Sequence, residues 1–173
     1  LGLCFRLCFR LGGGFGFGYD FAVDSPQALI AWLKPRPGEI NYGSSGDGST
    51  GHLAGELFRR MARVNIVHVS HNGGMAALSG LTTRQVSMMF AAQPLALAFL
   101  PSEFFQPLAV TGRKRSERLP GLPTLAESGL PDFEIEAWYG VFAPAGNSRV
   151  ANAWLSERIG TAMAEPATKA QLM

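Results

Sequence analysis

The chain has 173 residues, of which 47% are hydrophobic and 16% are charged, and its formal net charge is +2. A chain of this length and composition can bury one ordinary core, so we expect a globular protein. The few charges form no long basic face, which argues against nucleic acid or an anionic membrane as the partner. No apolar run in the sequence reaches the roughly 20 residues of a membrane-spanning helix.

The start of the chain differs in composition from the rest. Residues 1–18 read LGLCFRLCFRLGGGFGFG, a tandem repeat followed by alternating glycine and phenylalanine, without the layout of a cleavable signal peptide. We interpret residues 1–21 as a low-complexity lead, disordered or artefactual, and not as a domain. The two cysteines, Cys4 and Cys8, both lie in this lead, and their spacing is too tight for a loop-closing disulfide.

Helices and strands are expected to alternate after the lead. Ser25 and Pro26 form an N-cap and first-turn pair, which predicts a first helix that stops at Pro35. Residues 39–42 favour a short strand that runs into a loop rich in serine and glycine. A second, amphipathic helix follows this loop, with apolar residues at helical spacing: Leu53, Ala54, Leu57, Phe58 and Met61.

The middle of the chain repeats the order of strand, loop and helix. The segments VNIVHV, VSMMF and PLAVT predict strands at residues 64–69, 86–90 and 107–111. A helix of small residues is expected near 75–81, and Pro94 can occupy the first turn of another. This rhythm predicts right-handed βαβ crossovers and therefore an α/β fold, a mostly parallel sheet flanked by helices.

Three further elements are expected towards the end of the chain. Thr124 and Glu127 have the spacing of a capping box and predict one short helix, which Gly129 would end. Residues 134–142 are predicted to form a fifth strand. Ser148 is expected to cap a last helix.

The loops that follow the strands are the candidate binding sites, because ligands of open parallel sheets bind beyond the carboxyl ends of the strands. These junctions fall at residues 43–50, 70–74 and 91–93. In the first, GSSGDGST, glycines allow close backbone approach, and N–H groups at a helix start attract negative charge. The pattern predicts a site for a carboxylate or a phosphate, although a turn with an N-cap and no ligand has the same composition.

Motifs for catalysis and metal binding do not match. A P-loop needs a lysine that this loop lacks, and a nucleophile elbow centred on Ser45 would need glycine where Asp47 stands. The three histidines, His52, His68 and His71, have no paired spacing for a metal. We expect His68 to be a satisfied core or sheet-edge residue and His71, which begins the second loop, to be a candidate ligand contact.

From Ala22 onwards the chain resembles the Bug family, the periplasmic solute receptors associated with tripartite tricarboxylate transporters. The resemblance rests on PGEINYGSSGDGSTGHLAGELF, VNIVHVSHNGG followed by MAAL, LAVTGRKRSERLPGLPTLAESGLPDFE and AWYGVFAPAG, in this order. It implies the fold of a type II periplasmic binding protein, in which two lobes close on a small solute. The solute is usually a carboxylate, which the receptor delivers to a membrane transporter or a sensor.

The resemblance also implies a division into lobes. Residues 42–137 would form a nearly complete second lobe, whereas residues 22–41 and 138–173 would belong to a partial first lobe. A full receptor would begin with a signal peptide, which this chain lacks, and a first lobe before Ala22, so we expect a fragment. Half of a two-lobed clamp should bind its solute poorly, because closure is what buries a small ligand.

The chain departs from the family pattern at two places in the expected site. The second loop has Ser70, His71, Asn72 and Gly73, where family members usually carry an aromatic residue and a lysine. Ala91 stands where they commonly have an aspartate. Because an acidic partner for a ligand's amino group is then missing, a simple carboxylate is a better candidate than an amino acid.

The resemblance therefore implies a periplasmic, non-enzymatic and monomeric receptor for a di- or tricarboxylate-like solute. We expect neither a cofactor nor a metal, and no nucleic acid; the partners would be transporter subunits or a sensor kinase. The residues expected to bind the solute are Ser44, Ser45, Gly46, Ser49, Thr50, His71, Asn72, Gly73, Gly74 and Ala91. Two alternatives stay open: a small α/β hydrolase-like enzyme that uses Ser45 or His71, and a truncated product that binds nothing.

Overall fold

The computed structural model describes residues 2–7, 23–100 and 105–168, and only the backbone of residues 2–7. The rest of the predicted lead, residues 1 and 8–21, lies outside these ranges. The chain divides into two units, residues 1–137 and 138–173. Within the described ranges, the helices are too short or too polar to cross a membrane.

The first unit contains a sheet flanked by helices, and this confirms the predicted α/β fold. Its described elements follow in chain order: β1 (Gly2–Leu7), α1 (Pro26–Leu33), β2 (Ile40–Ser44), α2 (Thr50–Ala62), β3 (Ile66–Ser70), α3 (Gly74–Thr82), β4 (Met88–Ala92), α4 (Gln93–Phe99) and β5 (Phe105–Val110). The strand order in the sheet is β3-β2-β4-β1-β5. β2 runs parallel to both β3 and β4, whereas β1 is antiparallel to β4 and β5. In the described sheet four of the five strands thus run in the same direction, as predicted for a mostly parallel sheet, and the antiparallel pairings are those of β1.

Strand β1 was not expected, because it lies inside the segment interpreted as a low-complexity lead. Its residue Leu3 pairs with Ala91 of β4 and with Val110 of β5, so the strand fills the gap between them. Residues 3–7, LCFRL, include no turn residue, which is compatible with an extended strand. Pairing with partners so distant along the chain leaves no local signal in the sequence.

The core lies on both faces of the sheet, and β4 shows this division most clearly. Met88 and Phe90 join one apolar cluster, whereas Met89 and Ala91 join the other. Successive side chains of a strand point to opposite faces, so the two clusters lie on opposite sides of the sheet. Helices α1 and α2 supply residues to the first cluster, and α3 and α4 supply residues to the second.

Residues 23–41 belong to the first unit, which differs from the predicted grouping of residues 22–41 with 138–173. Leu29 and Leu33 of α1 are buried in the same cluster as Phe58 of α2. The apolar stripe of α1 showed that the helix must pack against a core. The stripe does not indicate which core the helix joins, because apolar periodicity shows only which face is buried and not which element covers it.

Two predicted elements after β5 are absent from the described residues. The capping box forms, since the Thr124 amide donates to Glu127 Oε2 at 2.9 Å and the Glu127 amide donates to Thr124 Oγ1 at 3.0 Å. The segment nevertheless makes turns and no helix, and it reaches a left-handed residue at Gly129 with φ of 96°. Residues 134–142 form no strand. Both predictions were wrong, because a local pattern cannot supply the partner strand or the additional turns that an element needs.

The second unit contains the predicted last helix, α5 (Arg149–Ala164). Its N-cap is Ser148, whose Oγ accepts a hydrogen bond from the Ala151 amide at 3.0 Å. No residue of α5 is buried, so its apolar side chains, such as Trp154 and Ile159, are solvent-exposed within this unit.

Candidate functional site

Three loops meet at one edge of the sheet. Strands β3, β2 and β4 are neighbours and parallel, so their last residues, Ser70, Ser44 and Ala92, lie at the same edge. Helices α2, α3 and α4 begin immediately beyond this edge. We call this region the loop edge: residues 44–50, 70–74 and 91–93. The topology therefore brings together the three junctions that the sequence singled out.

Ser44 organises the first loop, and its side chain is fully buried. Its hydroxyl donates to the Gly46 carbonyl at 3.0 Å and accepts from the Gly46 amide at 3.2 Å. It also lies 2.6 Å from His68 Nε2 on β3. These contacts occupy the hydroxyl, so Ser44 is a structural residue here and not the ligand-binding hydroxyl that was expected.

Ser49 caps the helix that follows the loop. Its Oγ accepts from the His52 amide at 3.3 Å, and its own amide donates to the Gly46 carbonyl at 3.2 Å. The loop therefore closes as a tight turn that leads directly into α2. The hydroxyl proton of Ser49 and the first residue of the helix, Thr50, stay available to an anion at this helix N-terminus.

Backbone hydrogen bonds join the second loop to the first. The His71 amide donates to the Ser44 carbonyl, and the Gly73 amide donates to the Ser45 carbonyl, both at 3.1 Å. Gly73 occupies the N-cap of α3 at φ of 99°, a conformation that favours glycine, and no side chain caps this helix. The first amides of α3 are thus left for another acceptor.

The side chains of Ser45 and Asn72 are exposed at the loop edge. In the described part of the chain no hydrogen bond engages the Ser45 hydroxyl or the Asn72 amide, so both are available to a ligand. The loop edge contains no lysine or arginine, and its one charged residue is Asp47. An anion would therefore be held by backbone and side-chain dipoles.

His71 does not face the loop edge. Its Nδ1 lies 3.0 Å from the Val69 carbonyl, and its Nε2 is buried without a hydrogen-bond partner. A Cβ on Gly80 of α3 would lie 2.6 Å from that Nε2, which shows how closely the ring packs on the helix. The ring is therefore a packing element of the first unit, and its expected role as a ligand contact is not supported.

Ala91 and the start of α4 also belong to the interior. Ala91 is 4% exposed and packs in the second apolar cluster. Gln93, the first residue of α4, is buried and donates through Nε2 to the Ser116 hydroxyl. The third junction therefore packs against the interior and offers no polar side chain to a ligand among its described residues. Pro94, the next residue, is exposed but apolar.

A group of three titratable side chains beside the loop edge was not foreseen. Asp47, His52 and His68 have ligand-forming atoms within 4.8 Å of one another, and we call them the histidine cluster. The rings of His52 and His68 stack, with centroids 3.9 Å apart and an angle of 6° between their planes. Burial, together with the neighbouring His52, lowers the pKa of His68. Sequence spacing missed the cluster because its members come from a loop, a helix and the adjacent strand.

Ser44, His68 and Asp47 follow one another in the order of a nucleophile, a base and an acid. The Ser44 hydroxyl lies 2.6 Å from His68 Nε2, and His68 Nδ1 lies 3.6 Å from Asp47 Oδ1. Ser44 has 0% exposure, however, so a substrate cannot reach its oxygen in this conformation. The next residue, Ser45, is exposed, but no hydrogen bond joins its hydroxyl to an imidazole among the described residues. Neither serine is an accessible activated nucleophile.

Comparison with known proteins identifies the family. The model of the tripartite tricarboxylate transporter family receptor matches residues 18–173 of the chain. The chain belongs to this family. It is similar to the protein BugT of Bordetella pertussis, with 33% identity over 141 residues that make up 82% of the chain and 43% of BugT. It is also similar to a UPF0065 protein from the tcbD-tcbE intergenic region of a Pseudomonas species, with 35% identity over 80% of the chain and 41% of that protein.

Solved structures of related proteins share the fold. A Rhodopseudomonas palustris protein, Rpa4515 with adipate, superimposes with a TM-score of 0.86 at 31% identity, and the match covers 99% of the chain and 54% of that protein. The periplasmic binding protein BugD matches with a TM-score of 0.81 at 25% identity, over 99% of the chain and 55% of BugD. The chain thus spans about half the length of the proteins it matches. These likenesses confirm the predicted resemblance to Bug receptors and the periplasmic-binding-protein fold.

Proposed function

We propose that the chain is part of an extracytoplasmic receptor that captures a small di- or tricarboxylate at the loop edge and delivers it without chemical change. The observation that carries this proposal is the convergence of two helix N-termini on the loop edge. The N-terminus of α2 has one side-chain cap, from Ser49, and that of α3 has none. Free N–H groups at such ends replace the water that a carboxylate loses on binding.

The contacts proposed for the carboxylate follow from what is accessible there. They are the side chains of Ser45, Ser49, Thr50 and Asn72 and the backbone amide of Gly74. The amides of Gly46 and Gly73 already donate to the Ser44 hydroxyl and to the Ser45 carbonyl. The family supports the transport role, and the adipate of the related Rpa4515 structure supports a dicarboxylate. By the same analogy we propose a periplasmic location, a monomer, and transporter subunits or a sensor as the partners.

The proposal includes the absence of catalysis. Two observations support this view: the inward ring of His71 leaves the exposed Ser45 without a base beside it, and Ser44, which contacts His68, is buried. The alternative of a truncated product that binds nothing is decided by measuring binding to the chain itself.

Backbone NMR of the ¹⁵N-labelled chain titrated with adipate, succinate and citrate is the direct test, since it also detects weak binding. We expect amide signals of Gly46 to Gly51 and of Gly73 to Ala76 to shift with the dianion, and not with neutral adipamide. Proton spectra of the added acid should stay unchanged over hours. Ser45→Ala and Asn72→Ala should each weaken binding roughly tenfold or more, the value of a hydrogen bond to a charged group.

Ser79→Ala is the matched control, because Ser79 is exposed on α3 away from its N-terminus. It should leave the affinity unchanged. Shifts that are as large with adipamide, shifts confined to other parts of the chain, or conversion of the acid to a new compound would each contradict the proposal.

A further inference from the structure

The histidine cluster has a feature that the carboxylate site does not explain. Ser44 Oγ accepts a hydrogen bond from the Gly46 amide and faces the Gly46 carbonyl, which can only accept. Ser44 therefore donates its single hydroxyl proton to the Gly46 carbonyl. To satisfy the third contact, His68 must donate from Nε2, at 2.6 Å from the same oxygen.

This assignment leaves His68 Nδ1 with a lone pair that can accept, and a carboxylate oxygen, itself an acceptor, lies near this nitrogen. Asp47 Oδ1 lies 3.6 Å from Nδ1. An imidazole lone pair and a carboxylate oxygen repel each other unless a cation lies between them.

The geometry points to a divalent transition-metal ion: we propose that Asp47, His52 and His68 form a binding site for Zn²⁺ or a similar ion. Two neutral imidazoles and one carboxylate are ligands that Zn²⁺ accepts, with a fourth position left for water. Hydrogen bonding of the far nitrogen of His68 to the Ser44 hydroxyl is the arrangement that orients a histidine ligand. This proposal does not depend on the carboxylate site.

Closing the site requires movement of the exposed Asp47 and of the half-buried ring of His52. Ligand atoms of a tetrahedral zinc site lie about 3.3 Å apart, somewhat closer than the 4.8 Å limit within which these atoms lie. The side chain of Asp47 is 80% exposed and free to approach. The ring of His52 must turn out of its stack on His68, and the contact that holds it, the Gly48 amide on Nδ1 at 2.9 Å, is exposed. His68, which Ser44 holds, stays in place.

Isothermal titration of the untagged, EDTA-treated chain with Zn²⁺ tests the proposal. We expect binding of one Zn²⁺ per chain and a matching visible absorption of tetrahedral Co²⁺, with no binding of Mg²⁺ or Ca²⁺, which prefer oxygen ligands. Asp47→Asn should weaken the Zn²⁺ affinity at least about tenfold. Because Asp47 is exposed, the melting temperature of this variant without metal should equal that of the original chain. As an independent second test, His52→Gln should also weaken the Zn²⁺ affinity.

Ser45→Ala is the matched control, since Ser45 lies in the same loop but outside the cluster. It should keep the Zn²⁺ affinity while it weakens the binding of carboxylates, so that a failure of one proposal can be told from a failure of the other. Absence of one-to-one Zn²⁺ binding, or an unchanged affinity in both Asp47→Asn and His52→Gln, would overturn the metal site.

Discussion

The inward position of the His71 ring can be tested by a double-mutant cycle with Gly80. A methyl group at residue 80 would lie 2.6 Å from His71 Nε2 and 3.4 Å from Gln85 Oε1. Contacts of 2.6 Å are well inside van der Waals distance, and insertion of a methyl group into a packed core costs about 1–3 kcal/mol. Against this, alanine is up to about 1 kcal/mol more favourable than glycine in a helix. Gly80→Ala should therefore lower the free energy of unfolding, by up to about 2 kcal/mol.

The sign of the effect should reverse when the ring is removed. In a His71→Ala background the added methyl group enters the vacated space, so Gly80→Ala should be neutral or should raise the free energy of unfolding by up to about 1 kcal/mol. The measurement is urea unfolding followed by far-ultraviolet circular dichroism, with the coupling energy taken from the four variants. An equal cost of Gly80→Ala in both backgrounds would show that the ring does not lie against residue 80.

Two further outcomes are expected. Gly55→Ala should destabilise by about 3 kcal/mol or more, because its methyl group would lie 2.1 Å from the buried ring of Tyr42; Gly160→Ala on the open surface of α5 is the control and should cost nothing in the same urea titration. The folded pKa of His68 lies below its ordinary value of 6.5 through burial and the nearby His52. The unfolded state therefore binds more protons, so the contribution of this residue to stability is present above pH 6.5 and is lost as the pH falls towards the folded pKa. His52→Gln should reduce this pH dependence in unfolding curves between about pH 7 and pH 5, and an unchanged slope would contradict the coupling of the two rings.

The buried network beneath the loop edge explains why a loop without a lysine or an arginine can hold a defined shape. Ser44 joins the first loop to β3 through His68, and backbone bonds join the second loop to the first. The exposed donors of Ser45 and Asn72 are thus presented by loops that these hydrogen bonds hold in place. Such pre-organisation is what allows dipoles to replace water around an anion at a small reorganisation cost.

The amino-acid sequence by itself determined the alternation of strands and helices, the positions of the N-caps, and the three junctions that could bind an anion. These are local properties: the predicted caps at Ser25 and Ser148 form within three residues of their partners. The periodicity of apolar residues likewise needs no knowledge of the partner element. The resemblance of whole motifs to Bug receptors then indicated the family.

Only the tertiary structure decided which polar groups are free to bind. Ser44 and Ser45 are neighbours in one loop with the same chemistry, yet one is buried under His68 and the other is exposed. The ring of His71 turned inward because α3 offers the space at Gly80, and Asp47, His52 and His68 met because β3 lies beside β2. These outcomes depend on contacts between residues distant in the chain, and such contacts leave no pattern in any short stretch of sequence.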